Sequence, residues 1–549
     1  MKFKLFSIFL TMLLLATHAP LVHGHTVHPP PASMSASMPP KNPYLIAGPS
    51  QVFHWDPSNS DATLIAGPTG TKQLGKDKIK PIYGGLTNLH YLSGPSYPTG
   101  EQVIWLANNN RIAKVLTNDG RFEEIAHLRI PGQPYLSHRA AQNVTKRFDK
   151  ARTEEELLAY LDKNFPHYFV KAIAQAGTYS LMDREGSLYT PVRNSIMVFG
   201  DEQPGKAHSR IAVRRKLTLP ATIIHPTKPD AVLGLQMTYD GHLVFVTIRG
   251  VVGVVDRYFQ KAPKYLRFTG ETITNSVAVD PDNGIYIVTD KYMRKVVWDG
   301  DKLRNDTASG AWQSRYDSDL DSTLRGRLGS GSTPTLMGFQ AGEDQLVVIT
   351  DGSNVMSLVA FWRNDIPKEF KRQKGTRSRR IAGQIRVTFG QPDIERAQSE
   401  QSVAVWGYGA FVVNNAAPAA RPDPLEQSLV ASVWQEGPKG VEKFIWNDQK
   451  DRWERAWAKS DVSSPSTVPL ISVGSNQVYV NGRVNGKWEI TGLDWETGKR
   501  KTRLILGSSQ LFNGAYSQIQ LLPGGDIVYG GVTAYLRLRT AQSSDKDES

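Results

Sequence analysis

The chain holds 549 residues and no cysteine, and 65 Lys and Arg against 52 Asp and Glu leave a formal charge of +13. Without cysteine there is neither a disulfide framework nor a thiolate metal site, so the fold rests on its apolar core. The basic balance favours anionic partners, but no nucleic-acid-binding motif accompanies it.

Residues 1–24 read as a secretory signal: Lys2 and Lys4 precede an apolar run from Leu5 to Ala16, and Val22-His23-Gly24 offers a cleavage site. An exported, periplasmic or extracellular protein is expected, and the absence of cysteine points to a bacterial envelope rather than a disulfide-stapled secreted domain. No cysteine follows the signal to carry a lipid. Asn143-Val144-Thr145 and Asn305-Asp306-Thr307 are then chance matches to a glycosylation acceptor. Residues 25–43, HTVHPPPASMSASMPPKNP, form a Pro, Ser and Met rich linker. Cleavage after Gly24 would leave His25 at the N-terminus, where amine and imidazole chelate Cu²⁺ with His28 nearby. A linker of this composition is more simply a tail with incidental histidines.

From there a hairpin recurs in loose copies, beginning near Thr87, Thr178, Leu233, Thr274, Thr333, Gln401, Val468 and Tyr516. The clearest is TNSVAVDPDNGIYIVTD at 274–290. Val277 and Val279 alternate with small partners, Asp282-Asn283-Gly284 tolerates positive φ, and Ile285 resumes a β composition. Further strands follow many copies, as in KFIWNDQKDRWERAW. Four-stranded repeats near the ~40–50 residue spacing of propeller blades predict an all-β fold, a single β-propeller over residues 44–540. The copies predict eight blades, with seven as the alternative. QVFHWDPSNSDATLIAG, from Gln51, reads as outer strands without inner ones, to be completed by inner strands at 516–538. On that reading His54, Trp55 and Asp56 are blade packing.

One helical insertion interrupts the pattern over residues 139–177. In TEEELLAYLDKNF, Thr153 caps a helix, Glu156 completes a capping box, and Leu157, Leu158 and Leu161 follow at helical spacing. The run KEFKRQKGTRSRR at 368–380 holds seven basic residues and one acid. It is either a solvated loop or a contact for an anionic glycan or lipid surface. Residues 541–549 are a polar tail.

The hairpin at 274–290 resembles those of strictosidine-synthase-like and gluconolactonase-like propellers, and LDWETGKRKTRLIL at 493–506 is similar to an outer hairpin of PQQ-type propellers. The gluconolactonase resemblance implies that the Asn opening the hairpin faces the central channel and helps to hold a divalent cation, usually Ca²⁺. That role maps onto Asn275 and onto Asn88, with Glu400 as a candidate axial carboxylate. The cation would polarise a carbonyl for lactone or ester hydrolysis. His90, two residues past Asn88 and on the same strand face, is the candidate general base. An amide at a strand start equally satisfies backbone groups of a neighbouring blade, and Asp290 reads as a turn residue, as does Asp351 in VITDG. PQQ is not expected, because the vicinal disulfide and the Asp-Tyr pair of that resemblance are missing. The reading is a channel-site hydrolase or lactonase acting on a small molecule or glycan; the alternative is a non-catalytic binding or assembly scaffold.

Overall fold

Eight hairpins, one at each repeat of the sequence, provide the first two strands of eight separate sheets, and the fold is a β-propeller. The structure is a computed structural model; it describes residues 38–540, except 87, 89, 109, 134, 166–178, 226–228, 320–328, 417–428, 432, 435, 466 and 515. The signal segment, His25, His28, most of the linker and the polar tail lie outside the described residues. Among the described residues no helix is long and apolar enough to cross a membrane.

The hairpin at 274–290 explains the local rule. Ala278–Val279 pairs antiparallel with Gly284–Val288, and Asn283 takes the left-handed turn position at φ 60°. Asp280 ties the turn: its Oδ1 accepts the N–H groups of Asp282 and Gly284, and its Oδ2 the hydroxyl of Tyr286 at 2.7 Å. Asp183 does the same for Glu185, Ser187 and Tyr189 in another sheet. Gly284–Val288 is buried along its length, because neighbouring sheets cover both of its faces.

The segment 42–66 departs from the expected outer strands. It runs along the axis and bonds to the innermost strand of every sheet. Ser50 exchanges bonds with Tyr91 and Ser93, and Ile46 and Gln51 pair with Met182. Asn42 donates to the carbonyls of Met237 and Thr238. The carbonyls of Pro57, Ser58, Ser60 and Asp61 accept from Val279, Leu336, Val405 and Ile471 in turn. Gln520 closes the circuit onto the Ser50 hydroxyl. A polar backbone at the axis demands this, since a buried amide without a partner costs about 1–3 kcal/mol. His54 and Asp56 therefore bond within the axis and are not blade packing, whereas Trp55 does pack into a blade core, in the cluster with Leu470, Trp488 and Ile519.

The ring closes with strands from both termini, as expected, but the N-terminal strand is not in the segment from Gln51. The strand beside Ala534–Leu538 is Ile79–Tyr83, and Ile527–Gly530 and Ile519–Leu521 complete that sheet. The C-terminus gives three strands and the N-terminus one. Ala62–Thr63 and Gly70–Gln73 instead add parallel strands to the two edges of the preceding sheet. Proline and serine at 57–60 exclude a regular strand there, whereas Ile79–Tyr83 carries its proline at an edge, where none of its N–H groups is required by an outer neighbour.

The insertion holds two helices, α1 (His138–Phe148) and α2 (Glu154–Asn164); residues 166–177 lie outside the described residues. Thr153 caps α2, but the Glu156 carboxylate reaches the N–H of Arg152, one residue before the cap. Val144, Phe148, Leu157 and Leu161 pack with Leu86, Leu429, Val430 and Val532 on one end of the ring, with Tyr516 against them.

Removing 516–549 takes three strands from the closing sheet, and removing 38–66 takes the axial segment. Each truncation is expected to abolish the cooperative thermal transition seen by circular dichroism. Asn59→Ala tests the axis at one residue: it loses bonds to the Val277 and Pro334 carbonyls and puts alanine at φ 59°. A loss of about 2–4 kcal/mol in denaturant unfolding is expected.

Candidate functional site

The axial segment turns at its tip, and there it meets the loops that open the inner strands. Burial and shape place His54 under the ring of Tyr179, with centroids 6.2 Å apart and planes at 29°, while Phe53 meets Tyr179 edge-on at 4.9 Å. The Tyr179 hydroxyl lies 3.5 Å from Asn275 Oδ1. Across the axis, His54 Nε2 is 3.4 Å from Ser402 Oγ. Two residues earlier, Glu400 accepts the Tyr516 hydroxyl at 2.6 Å, and its own N–H donates to Asn415. These contacts link Asn275, Tyr179, His54 and Ser402, and the same loop carries Glu400, two residues before Ser402, to Tyr516. Together they make a polar and aromatic mouth whose floor is the axial segment.

Of the sequence-derived candidates, Asn275 and Glu400 belong to this mouth. Asn88 does not: it is fully buried, donates to the Gly531 carbonyl at 3.0 Å and accepts from Asn108 at 2.9 Å. Its backbone is pressed against the neighbouring turn at Gly530, where a Cβ would lie 1.5 Å from the Asn88 carbonyl oxygen. His90 starts the strand His90–Ser93, paired with Ala107; its side chain lies outside the described residues. Asp290 stands at a turn that Thr289 ties, and its own bonds go to the segment before the hairpin: it accepts from Thr272 N–H at 2.8 Å and returns its N–H to the Thr272 carbonyl. Asp351 accepts the N–H groups of Ser353 and Ser357, and burial pushes its carboxyl up to about 7. Among the described residues no group of three or more His, Asp or Glu is placed to hold a metal ion.

Asp61 and Ser402 were not singled out by the sequence, and His54 was read only as blade packing. His54 and Asp61 sit in a stretch with no periodic pattern, and Ser402 is hundreds of residues away. Both His54 and Asp61 are buried, with Nδ1 at 3.0 and 2.9 Å from the two carboxylate oxygens. Burial pushes the Asp61 carboxyl up, and the adjacent imidazole opposes that shift. Asp56 is raised to about 6 by burial, against hydrogen bonds from Ser60 and Ser58. The local backbone is strained. Among the described residues seven other than Gly, Asn and Asp have left-handed φ, and four of them are His54, Trp55, Tyr179 and Tyr516.

The basic run lies between the strands Ser357–Trp362 and Ile381–Arg386. Arg379 donates to the carbonyls of Pro367, Lys368 and Phe370, and Arg380 to those of Trp362 and Asn364. Arg377 pairs with Asp317. These arginines hold the loop together, and Lys368, Lys371 and Lys374 are exposed.

An uncharacterized protein of Archaeoglobus fulgidus is 34% identical over 401 residues, covering 71% of this chain and 75% of the relative. No family model matches the sequence. Among solved structures, a europium-containing methanol dehydrogenase superposes with a TM-score of 0.46 at 10% identity, covering 89% of this chain and 91% of that one. The C-terminal WD40 domain of Sif2 gives 0.45 at 12% identity, covering 84% and 98%.

Two measurements probe this region. Because folding raises the Asp56 pKa from 3.8 to about 6, the stability linked to it is complete below about pH 4 and is lost as pH rises through about 6. Asp56→Asn is therefore expected to melt above the parent at pH 7–8, by up to about 3 kcal/mol, with the gap closing near pH 4. In the basic run, Arg379→Gln and Arg380→Gln together are expected to lower the melting temperature, whereas Gln at Lys368, Lys371 and Lys374 leaves it within about 1 °C.

Proposed function

This chain belongs to the same family as the uncharacterized Archaeoglobus fulgidus protein, and we propose that its working site is the sealed mouth of the propeller, taking a small polyhydroxylated ligand such as the end of a glycan. The observation that carries this reading is strain concentrated where the polar groups converge. Tyr179 has φ 50° and Tyr516 φ 67°. A bulky residue held left-handed costs roughly 1–2 kcal/mol, and such costs gather at sites whose geometry they serve. Both tyrosines are half-buried, as is Glu400. Aromatic faces with a carboxylate and an amide beside them suit a ring bearing hydroxyls: the faces cover its C–H groups, and the polar atoms bond its oxygens.

The axial segment limits the site to one end. A ligand cannot pass through the ring, because residues 50–63 occupy the axis and are hydrogen-bonded on every side. The helices α1 and α2 support the mouth from outside, since Tyr516 packs on the cluster they form with Leu429 and Val532. The Tyr516 hydroxyl is in turn fixed by Glu400.

A panel of neutral hexoses, N-acetylhexosamines and their disaccharides, screened by thermal shift and calorimetry, is expected to yield at least one binder. Glu400→Gln and Tyr516→Phe should each weaken it by about tenfold, the value of one charge-assisted hydrogen bond. A panel without a single binder overturns the reading.

A further inference from the structure

We propose that Ser402, His54 and Asp61 form an acyl-transfer relay beneath the mouth, with Ser402 as nucleophile, His54 as general base and Asp61 as its orienting acid. The substrate class is an acyl ester of the polyhydroxylated ligand; this part rests on the reading of the mouth given above.

The polarity of the bonds is that of a relay. Asp61 faces Nδ1 of His54 with both oxygens, at 3.0 and 2.9 Å, so the ring proton is held on Nδ1. Nε2 is left as the acceptor, and Ser402 Oγ stands 3.4 Å from it. The N–H of Thr333 donates to the same Oγ at 3.1 Å, which leaves the serine hydroxyl proton to point at Nε2. A base oriented by a third group and facing a hydroxyl is the arrangement of activated serine nucleophiles on unrelated folds. A separation of 3.4 Å suits a resting site, since such bonds tighten only with substrate.

Stability alone gives no account of the trio. Burying a His–Asp pair costs several kcal/mol of desolvation that its attraction only partly returns. The loop bearing it also places His54 at φ 68° and Asp61 at φ 53°. Two buried apolar residues of similar volume would close the axis without either cost.

In the step, Ser402 Oγ attacks the ester carbonyl carbon while its proton moves to His54 Nε2. The tetrahedral adduct collapses, the C–O bond to the alcohol breaks, and the alcohol leaves with the proton from Nε2. Water, giving a proton to the same nitrogen, then attacks acyl-Ser402; collapse releases the carboxylic acid and returns the proton to Oγ. No metal or redox partner enters the balance. Tyr179 and Phe53 cover His54 from the mouth, so the path to Ser402 runs past the Tyr179 ring.

The test is covalent labelling of the full chain with a biotinylated fluorophosphonate, the modified peptide being located by mass spectrometry. Ser402 is expected to carry the label, at a rate that rises with pH as one ionisation. Tyr179→Ala should label faster, His54→Gln about a hundredfold slower or less, and Ser402→Ala not at that peptide. Melting curves establish that each variant is folded. A folded parent and a folded Tyr179→Ala that both leave Ser402 unlabelled overturn the relay. Labelling at Ser402 without any sugar binder would leave the relay standing and remove the glycan reading; a sugar binder with no label would do the reverse.

Discussion

The structure depends on a polar segment being buried along the axis of its own ring. A propeller's inner strands present unpaired backbone groups to the channel, which water ordinarily satisfies. Here residues 42–66 take that place. Carbonyls at Pro57, Ser58, Ser60 and Asp61 meet amides of four successive sheets, so a step of one or two residues along the segment carries it one sheet around the ring. The side chain of Asn42 reaches a further sheet, and that of Asn59 adds bonds to two of the same four. Each bond is worth only about 1 kcal/mol net, but each broken one leaves a group stranded away from water. The segment thus fixes the relative position of sheets that otherwise touch only their neighbours.

This arrangement couples the two ends of the chain. Gln520 bonds Ser50 across a separation of 470 residues, and Ile79–Tyr83 completes a sheet whose other strands come from 519–538. Such contacts return nothing until most of the ring exists, so assembly is governed by non-local pairing and is expected to be slow. The same coupling positions the mouth. Its floor, His54, comes from the N-terminal segment, while Ser402, Glu400 and Tyr516 come from sheets formed much later in the chain.

The fold was legible because blade hairpins are local. Alternating apolar residues and a glycine or asparagine at the turn mark the eight copies, most of them with an acid beside it, and the apolar helix stripe at Leu157 and Leu161 marked the insertion. The axial segment was not legible. DPSNSD has loop composition, and what it satisfies is backbone on four strands of other sheets, which leaves no periodicity in the segment itself. For the same reason Ile79–Tyr83 was not recognised as the closing strand. Asn275, Asn88 and Glu400 were singled out through the gluconolactonase resemblance; the structure brings Asn275 beside Tyr179 and Glu400 beside Tyr516, but turns the amide of Asn88 to the backbone of a neighbouring turn. The Ser402–His54–Asp61 trio joins residues with no sequence relation.

Filling the axis changes which chemistry the ring can host. An open channel lined by strand-start amides invites a hard cation that collects oxygens from several blades, and a cation of that kind needs six or more. Here the amide of Asn88 is engaged on both sides and that of Asn275 meets Tyr179 and Thr274. What the segment brings to the centre instead is an imidazole held by a carboxylate, in a place from which water is largely excluded. In that setting charge is expensive and direction is cheap: a His–Asp pair is costly to bury but, once buried, has one orientation. The segment that closes the channel to transit therefore also supplies its most directional chemical group, and it presents that group to the one end of the ring where strained tyrosines and a carboxylate converge.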